Sequence, residues 1–285
     1  MKKIDIHLHP LKNDPGLDKY VKAMDKGDVA AGLVHGLPDG WDGDTKFNAN
    51  EATRKACERH PGRLYGSVCV DFRQPVPEVI AVIRDYASAG FKSIKLFPNV
   101  GYHPSDPRYD RIWDTVEELG LLCLSHYGWL GGTAPAMREV DQLTAHPFCF
   151  ERAARNHPGI DFIMAHFGGA AYYLETCVLT LRLKNFYADT CPGWGRWVFE
   201  QRLPGLTGLD FTKIMYGTDG AGAWDIDGYK HDENFWTATH KAMGRGPEDL
   251  ERYYYGNAAK LLKIATERTE GTEKSKGRKK KGKKK

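Results

Sequence analysis

The sequence predicts an α/β fold, a single (β/α)8 TIM barrel. Three observations carry that expectation: a length of 285 residues, eight short apolar runs, and helical periodicity between most of them. A barrel of this kind takes about 250 residues. Strand and helix alternating eight times call for a parallel sheet, and eight parallel strands close on themselves.

In chain order the runs are IDIHLH (4–9), VAAGLVHG (29–36), LYGSVCVD (64–71), FKSIKLFP (91–98), LLCLSHYG (121–128), DFIMAHFG (161–168), NFYADTCP (185–192) and KIMYGTDG (213–220). Between them, VPEVIAVIRDYASAG (76–90) places apolar side chains at i, i+3, i+4 and i+7 and ends on Gly, and PRYDRIWDTVEELG (107–120) also reads as a helix. Near the end, YYYGNAAKLLKIAT sets Asn257 to cap a last amphipathic helix. The competing fold, an open doubly wound sheet, would want G-x-G-x-x-G after its first strand, where this chain has HLHPLKND.

Residues 1–266 therefore form one barrel domain, and 267–285 form a Lys-rich tail. Residues 274–285 hold nine Lys or Arg and no acid, so the formal charge of +4 conceals a body at −5. Such a tail cannot bury apolar surface and is expected to be disordered, either solvated or available to an anionic partner such as nucleic acid. No apolar stretch approaches the roughly 18 residues of a membrane span, and no leader pattern precedes the first strand. The expectation is a cytoplasmic protein without a membrane partner. Cys57, Cys69, Cys123, Cys149, Cys177 and Cys191 are scattered without a C-x-x-C pair, as suits small, reduced, buried thiols.

Strand alternation directs Ile4, Ile6 and Leu8 to the helices and Asp5, His7 and His9 to the interior. His126 ends the fifth run, His166 the sixth and Asp219 the eighth, so five metal-competent or proton-transferring groups meet at one mouth. N and O donors from several strands can hold a divalent ion and leave a position open for water or substrate. Lys95 points inward between Ile94 and Leu96, where an unpaired ammonium is costly, so it binds an anionic substrate or pairs with an acid such as Asp71 or Asp189. His35 ends the second run near the same pocket. The connections after the fifth, seventh and eighth runs are long, and Trp129, Trp194 and Trp224 either shape a substrate pocket there or pack the loops.

H-x-H on the first strand, single His residues on the fifth and sixth, Asp on the eighth, I-K-L-F-P, G-T-D-G and G-N-A-A-K-L-L together resemble the amidohydrolase superfamily, in its amidohydrolase-related branch with the aminocarboxymuconate semialdehyde decarboxylase-like enzymes. The likeness spans roughly residues 1–266. It implies that His7, His9, His126 and Asp219 hold one divalent ion, zinc or another such as manganese. It also makes His166 and Asp219 the catalytic acid/base groups. Lys95, Tyr127, Trp129, Asp189 and Trp194 are the candidate substrate contacts, and the likeness to other amidohydrolase branches offers Lys95 a different role, carboxylated and bridging two metals. The leading expectation is a metal-dependent hydrolase of a small, anionic lactone, amide or ester. A metal-dependent non-oxidative decarboxylase is the alternative on the same fold. A barrel that only binds nucleic acid through its tail is a third, and a homo-oligomer is compatible with all three.

Overall fold

The computed structural model describes residues 1–14, 16–40, 46–128, 130, 140–169, 171–191, 194–204, 208–220 and 228–264. The Lys-rich tail, Trp129 and Trp224 lie outside these residues, as does the side chain of Trp194. Eight strands follow one another in sequence order: β1 Lys3–Leu8, β2 Val29–His35, β3 Leu64–Cys69, β4 Ser93–Leu96, β5 Leu122–Ser125, β6 Phe162–Met164, β7 Phe186–Asp189 and β8 Ile214–Met215. All seven successive pairings are parallel. The ring is nearly closed where the Ile6 N–H donates to the Tyr216 carbonyl over 3.1 Å.

Helices fill the connections: α1 Asp18–Lys26, α2 Ala49–Arg59, α3 Val76–Ser88, α4 Asp110–Glu118, α5 Glu151–Asn156, α6 Tyr173–Arg182, α7 Trp194–Glu200, α8 Gly228–Ala242, α9 Pro247–Glu251 and α10 Asn257–Leu262. Local sequence accounts for their ends. The Asn48 side chain accepts from the Glu51 N–H at the start of α2, and Pro77 stands in the first turn of α3, where a missing N–H costs nothing. No described helix is long and apolar enough to cross a membrane.

Apolar side chains sort into two main layers. Leu8, Val34, Val68, Ile94, Phe162, Phe186 and Ile214 pack outward against helix residues such as Tyr20, Ile83 and Trp113. Ile4, Ile6, Leu33, Leu124, Ile163 and Met215 form a second cluster; they come from opposite sides of the ring and meet in its interior. Leu261 and Leu262 of α10 join this inner cluster and close the end of the barrel away from the mouth. Asn257 does not cap α10 as the sequence pattern predicts. Its side chain donates to the Phe211 and Ile214 carbonyls, and the helix runs into it through a π turn at Arg252–Gly256.

The first strand also departs from simple alternation. Asp5 pairs with Gly32 and Leu8 with Val34, so three steps on β1 oppose two on β2. The extra residue is a bulge, and it shifts the phase of the strand. Ile4 and Ile6 consequently face the interior, whereas Asp5 turns outward to accept from Thr218 and from Tyr229 of α8. Beyond the bulge His7 and His9 face inward as expected, and Leu8 faces the helices.

His240 on α8 supplies a test of packing on the helix side. Its Nδ1–H donates to the Trp236 carbonyl, its ring lies 4.3 Å from Tyr253, and Nε2 is buried without a partner among the described residues. Burial pushes its pKa down from 6.5 to about 4. The unfolded chain thus binds more protons between those values, and stability falls as pH drops through the window. A shift of that size is worth about 3 kcal/mol. Urea unfolding of His240→Phe should show a shallower loss of stability between pH 6.5 and 4 than the parent chain, and an unchanged slope would contradict this assignment.

Candidate active site

Both imidazoles of β1 are oriented by their Nδ1 atoms. His7 Nδ1 lies 2.8 Å from Asp189 Oδ2, and His9 Nδ1 lies 2.9 Å from the His35 carbonyl. A carbonyl only accepts, so His9 carries its proton on Nδ1, and the buried Asp189 carboxylate assigns the same tautomer to His7. The Nε2 lone pairs of both rings are thereby turned to one point. Asp219 Oδ1 stands there, 3.3 Å from His7 Nε2 and 3.2 Å from His9 Nε2. One ligating atom from each of His7, His9 and Asp219 falls within a 4.8 Å group.

Strained strand ends bring in the rest. His166 and Asp219 both have positive φ, 59° and 54°, which costs a residue with a Cβ about 1–2 kcal/mol. The sharp turn stops each strand at the mouth. His166 Nε2 reaches to 3.2 Å from His126 Nδ1, and Nε2 of His126 is buried without a partner among the described residues. Two glycines permit these approaches: a Cβ on Gly128, whose φ is +82°, would sit 2.7 Å from the Gly168 carbonyl, and one on Gly217 would sit 3.1 Å from His7 Cβ. Phe97 stacks on His126 at 14° with centroids 5.8 Å apart.

Lys95 is fully buried and faces inward, its Nζ 2.9 Å from His7 Nε2 and 4.9 Å from the Phe97 ring centre. Burial lowers its pKa, against the attraction of Asp219 and Asp189. Burial, reinforced by Lys95, lowers His7 in turn to about 4, so the imidazole is neutral at neutral pH. Burial alone would raise Asp219, but His7 and His9 hold it well below the usual carboxylate range. Asp71, the other acid considered for Lys95, is bound instead by the Arg73 guanidinium.

Two expected substrate contacts stand elsewhere. Tyr127 packs against Phe150 in the outer layer, because the residue after an inward His126 points to the opposite face. Asp189 sits beneath the site, where its Oδ1 accepts from the backbone N–H groups of His166 and Cys191. Trp129 and the Trp194 side chain fall outside the described residues. Sequence reasoning passed over Cys191 as a packing thiol, yet its Sγ lies 3.0 Å from His166 Nδ1 and 3.2 Å from His7 Nδ1. These three form a second group of possible ligand atoms. Beside the site a cavity of about 600 Å³ is lined by Asn50, Cys69, Arg73, Phe97 and Tyr102 among others.

The sequence model of the amidohydrolase family matches residues 4–264. The chain belongs to the amidohydrolase family. Among solved structures, an uncharacterized TIM-barrel protein from Bordetella bronchiseptica is 16% identical with a TM-score of 0.68, covering 92% of this chain and 98% of that one. A protein provisionally designated an amidohydrolase, from Staphylococcus aureus, is 17% identical with a TM-score of 0.60 and coverages of 93% and 100%. Another, provisionally designated a 2-pyrone-4,6-dicarboxylic acid hydrolase, from Pseudomonas putida, is 16% identical with a TM-score of 0.61 and coverages of 93% and 99%. At these identities the likeness is one of fold. No curated protein sequence matches the chain. This amidohydrolase is thus a TIM-barrel enzyme with its histidine and aspartate cluster at the C-terminal mouth, where such barrels carry their chemistry.

The crowding at Gly217 is testable without any ligand. Gly217→Val should destabilise the fold by about 1–3 kcal/mol in chemical unfolding, because its Cβ already crowds His7 at 3.1 Å and its methyls add bulk beside Asp189 and Cys191. Gly246→Ala, where nothing lies within 4 Å, should stay within about 0.5 kcal/mol of the parent. Equal effects at the two positions would contradict the close approach.

Proposed function

We propose that this amidohydrolase is a metal-dependent hydrolase of a small anionic organic substrate such as a lactone, amide or ester, with one divalent ion held by His7, His9, His126 and Asp219. The observation that carries the reading is the pair of β1 imidazoles whose Nδ1 atoms face fixed acceptors and whose Nε2 lone pairs converge on Asp219 Oδ1. Carboxylate or carbonyl acceptors behind ligating imidazoles are the usual means of fixing ring and tautomer. The buried Nε2 of His126, unpartnered among the described residues, is a further lone pair suited to an ion. Three imidazoles and a carboxylate suit zinc, with manganese also compatible.

Such an ion, when bound, would polarise the scissile carbonyl and lower the pKa of water at the site. The chain's own groups do the remainder. Asp219, within reach of both β1 imidazoles and partly open to the mouth, accepts the proton of the attacking water. His166, at the turn after β6, delivers a proton to the leaving group from Nε2 or polarises the substrate. Lys95 Nζ shares the His7 lone pair that an ion would use, so the two cations compete for it. Released from His7, the ammonium is free to meet a substrate carboxylate. Arg73 adds positive charge to the neighbouring cavity, partly offset by Asp71.

Protein purified without chelator should carry close to one divalent ion per chain, and chelation should lower both turnover and melting temperature, since an ion that binds only the native state stabilises it. Full activity in metal-free protein would reject the proposal. A panel of lactones, amides and aromatic carboxylic acids separates the reactions: ring opening or bond hydrolysis supports this reading, and carbon dioxide release would make the enzyme a decarboxylase.

Variants divide the roles. His166→Ala should retain the ion and lose roughly 10²–10⁴ in rate, the usual scale for acid/base catalysis. Asp219→Asn at saturating metal should remain folded and loaded but turn over far more slowly, whereas His7→Ala should fail first in metal binding. Loss of metal from His166→Ala, or wild-type turnover by Asp219→Asn, would overturn the corresponding role.

A further inference from the structure

Eight described large apolar side chains are more than a third exposed, and five of them gather in one region: Leu143, Phe148, Leu174, Val178 and Leu181. The last three occupy positions i, i+4 and i+7 of α6, each about half exposed, so they form one outward stripe. The outer faces of α1 and α4 are unlike it, whereas α7, next to α6 in the ring, also exposes one large apolar side chain, Trp197. The exposed side chains of α1 include Lys19, Lys22 and Asp25, and those of α4 are Arg111, Asp114 and Glu118. Phe148 continues the apolar surface past the start of α6 through His146, whose ring lies 5.3 Å from Phe148 and 4.6 Å from Tyr172. Scattered exposed apolar residues are normal, whereas a contiguous stripe marks a surface that is covered in use.

We propose that a second copy of this chain covers the stripe, α6 packing on α6 antiparallel about a two-fold axis through Val178. Charge complementarity selects this occupant and this direction. Glu175 lies three residues before Val178 and Arg182 four residues after it on the same side of the helix. An antiparallel pair centred on Val178 therefore sets each Glu175 within one residue's rise, about 1.5 Å, of level with Arg182 of the partner subunit. The symmetry repeats the ion pair at both ends of the apolar seam. Parallel packing would instead set Glu175 level with the partner's Glu175 and Arg182 level with the partner's Arg182, with no opposite charges paired. Arg182 has no acidic partner among the described residues, and Glu175 reaches only His146, at 3.9 Å.

The interface leaves the barrel mouth open. It adjoins the Leu143–Phe148 segment that follows the connection after β5.

Sedimentation equilibrium of the full chain at tens of micromolar should give twice the monomer mass of 32.1 kDa. Val178→Glu should give the monomer mass with an unchanged far-UV spectrum. Should that variant misfold, Leu174→Lys makes the same break at another point of the seam. Arg182→Glu alone should weaken the dimer at least tenfold, and adding Glu175→Arg should restore it. A monomeric parent chain, a dimer that survives the seam substitutions, or a charge exchange that fails to restore association would each overturn the proposal.

Discussion

The Asp189 carboxylate holds three strand ends together. Its Oδ2 faces the His7 ring of β1, and its Oδ1 accepts from the backbone of His166 after β6 and of Cys191 after β7. Such a group is expensive to bury: removing it from water favours its neutral form, and only its hydrogen bonds and nearby imidazoles keep it ionised. Once ionised, it dictates much of its surroundings. It places the His7 proton on Nδ1, leaves Nε2 facing the mouth, and fixes where the His166 backbone begins its left-handed turn. The acid is therefore part of the site's scaffold, although it faces no open space.

Around that anchor the barrel separates stability from chemistry along its axis. The lower interior is apolar, filled by Ile4, Leu33, Leu124, Ile163 and Met215 and closed by α10. The upper interior exchanges these side chains for His7, Lys95, His126 and Asp189, all buried and charged or polar. Most of this polar layer is satisfied from within: Lys95 donates to His7, His7 to Asp189, and His126 lies against His166, with His126 Nε2 the exception. Left-handed residues and close glycines at the strand ends are the local cost of this convergence, offset by the packed layers below.

Much of this was legible in the residue pattern. Eight apolar runs mark eight strands, because a strand buried on both faces must be apolar wherever the helices and the lower interior touch it. Period two placed Lys95 inside between Ile94 and Leu96, and the structure has it there. The same rule, applied one residue further, puts Tyr127 on the face opposite His126 and Cys191 on the face shared with Asp189. Tyr127 accordingly lies in the outer layer, and Cys191 stands among the site's imidazoles. Those two positions had a readable signal in the alternation itself. The inversion along β1 had none, since Asp5, Ile6 and His7 look like regular alternation until the strand is paired.

By itself the sequence determined the class of fold and the strand order. These depend on local periodicity and on which residues end each strand, and both are written along the chain. Tertiary structure decided the rest: the bulge that turns Asp5 out and Ile6 in, the Asp189 bond that orients His7, the anchoring of α10 by Asn257, and the unpaired stripe on α6. Each depends on what lies across a gap in space from a residue many positions away. A single chain read in order specifies side chains and their spacing, but the partner that satisfies a buried donor or covers an apolar face is set only when the barrel closes.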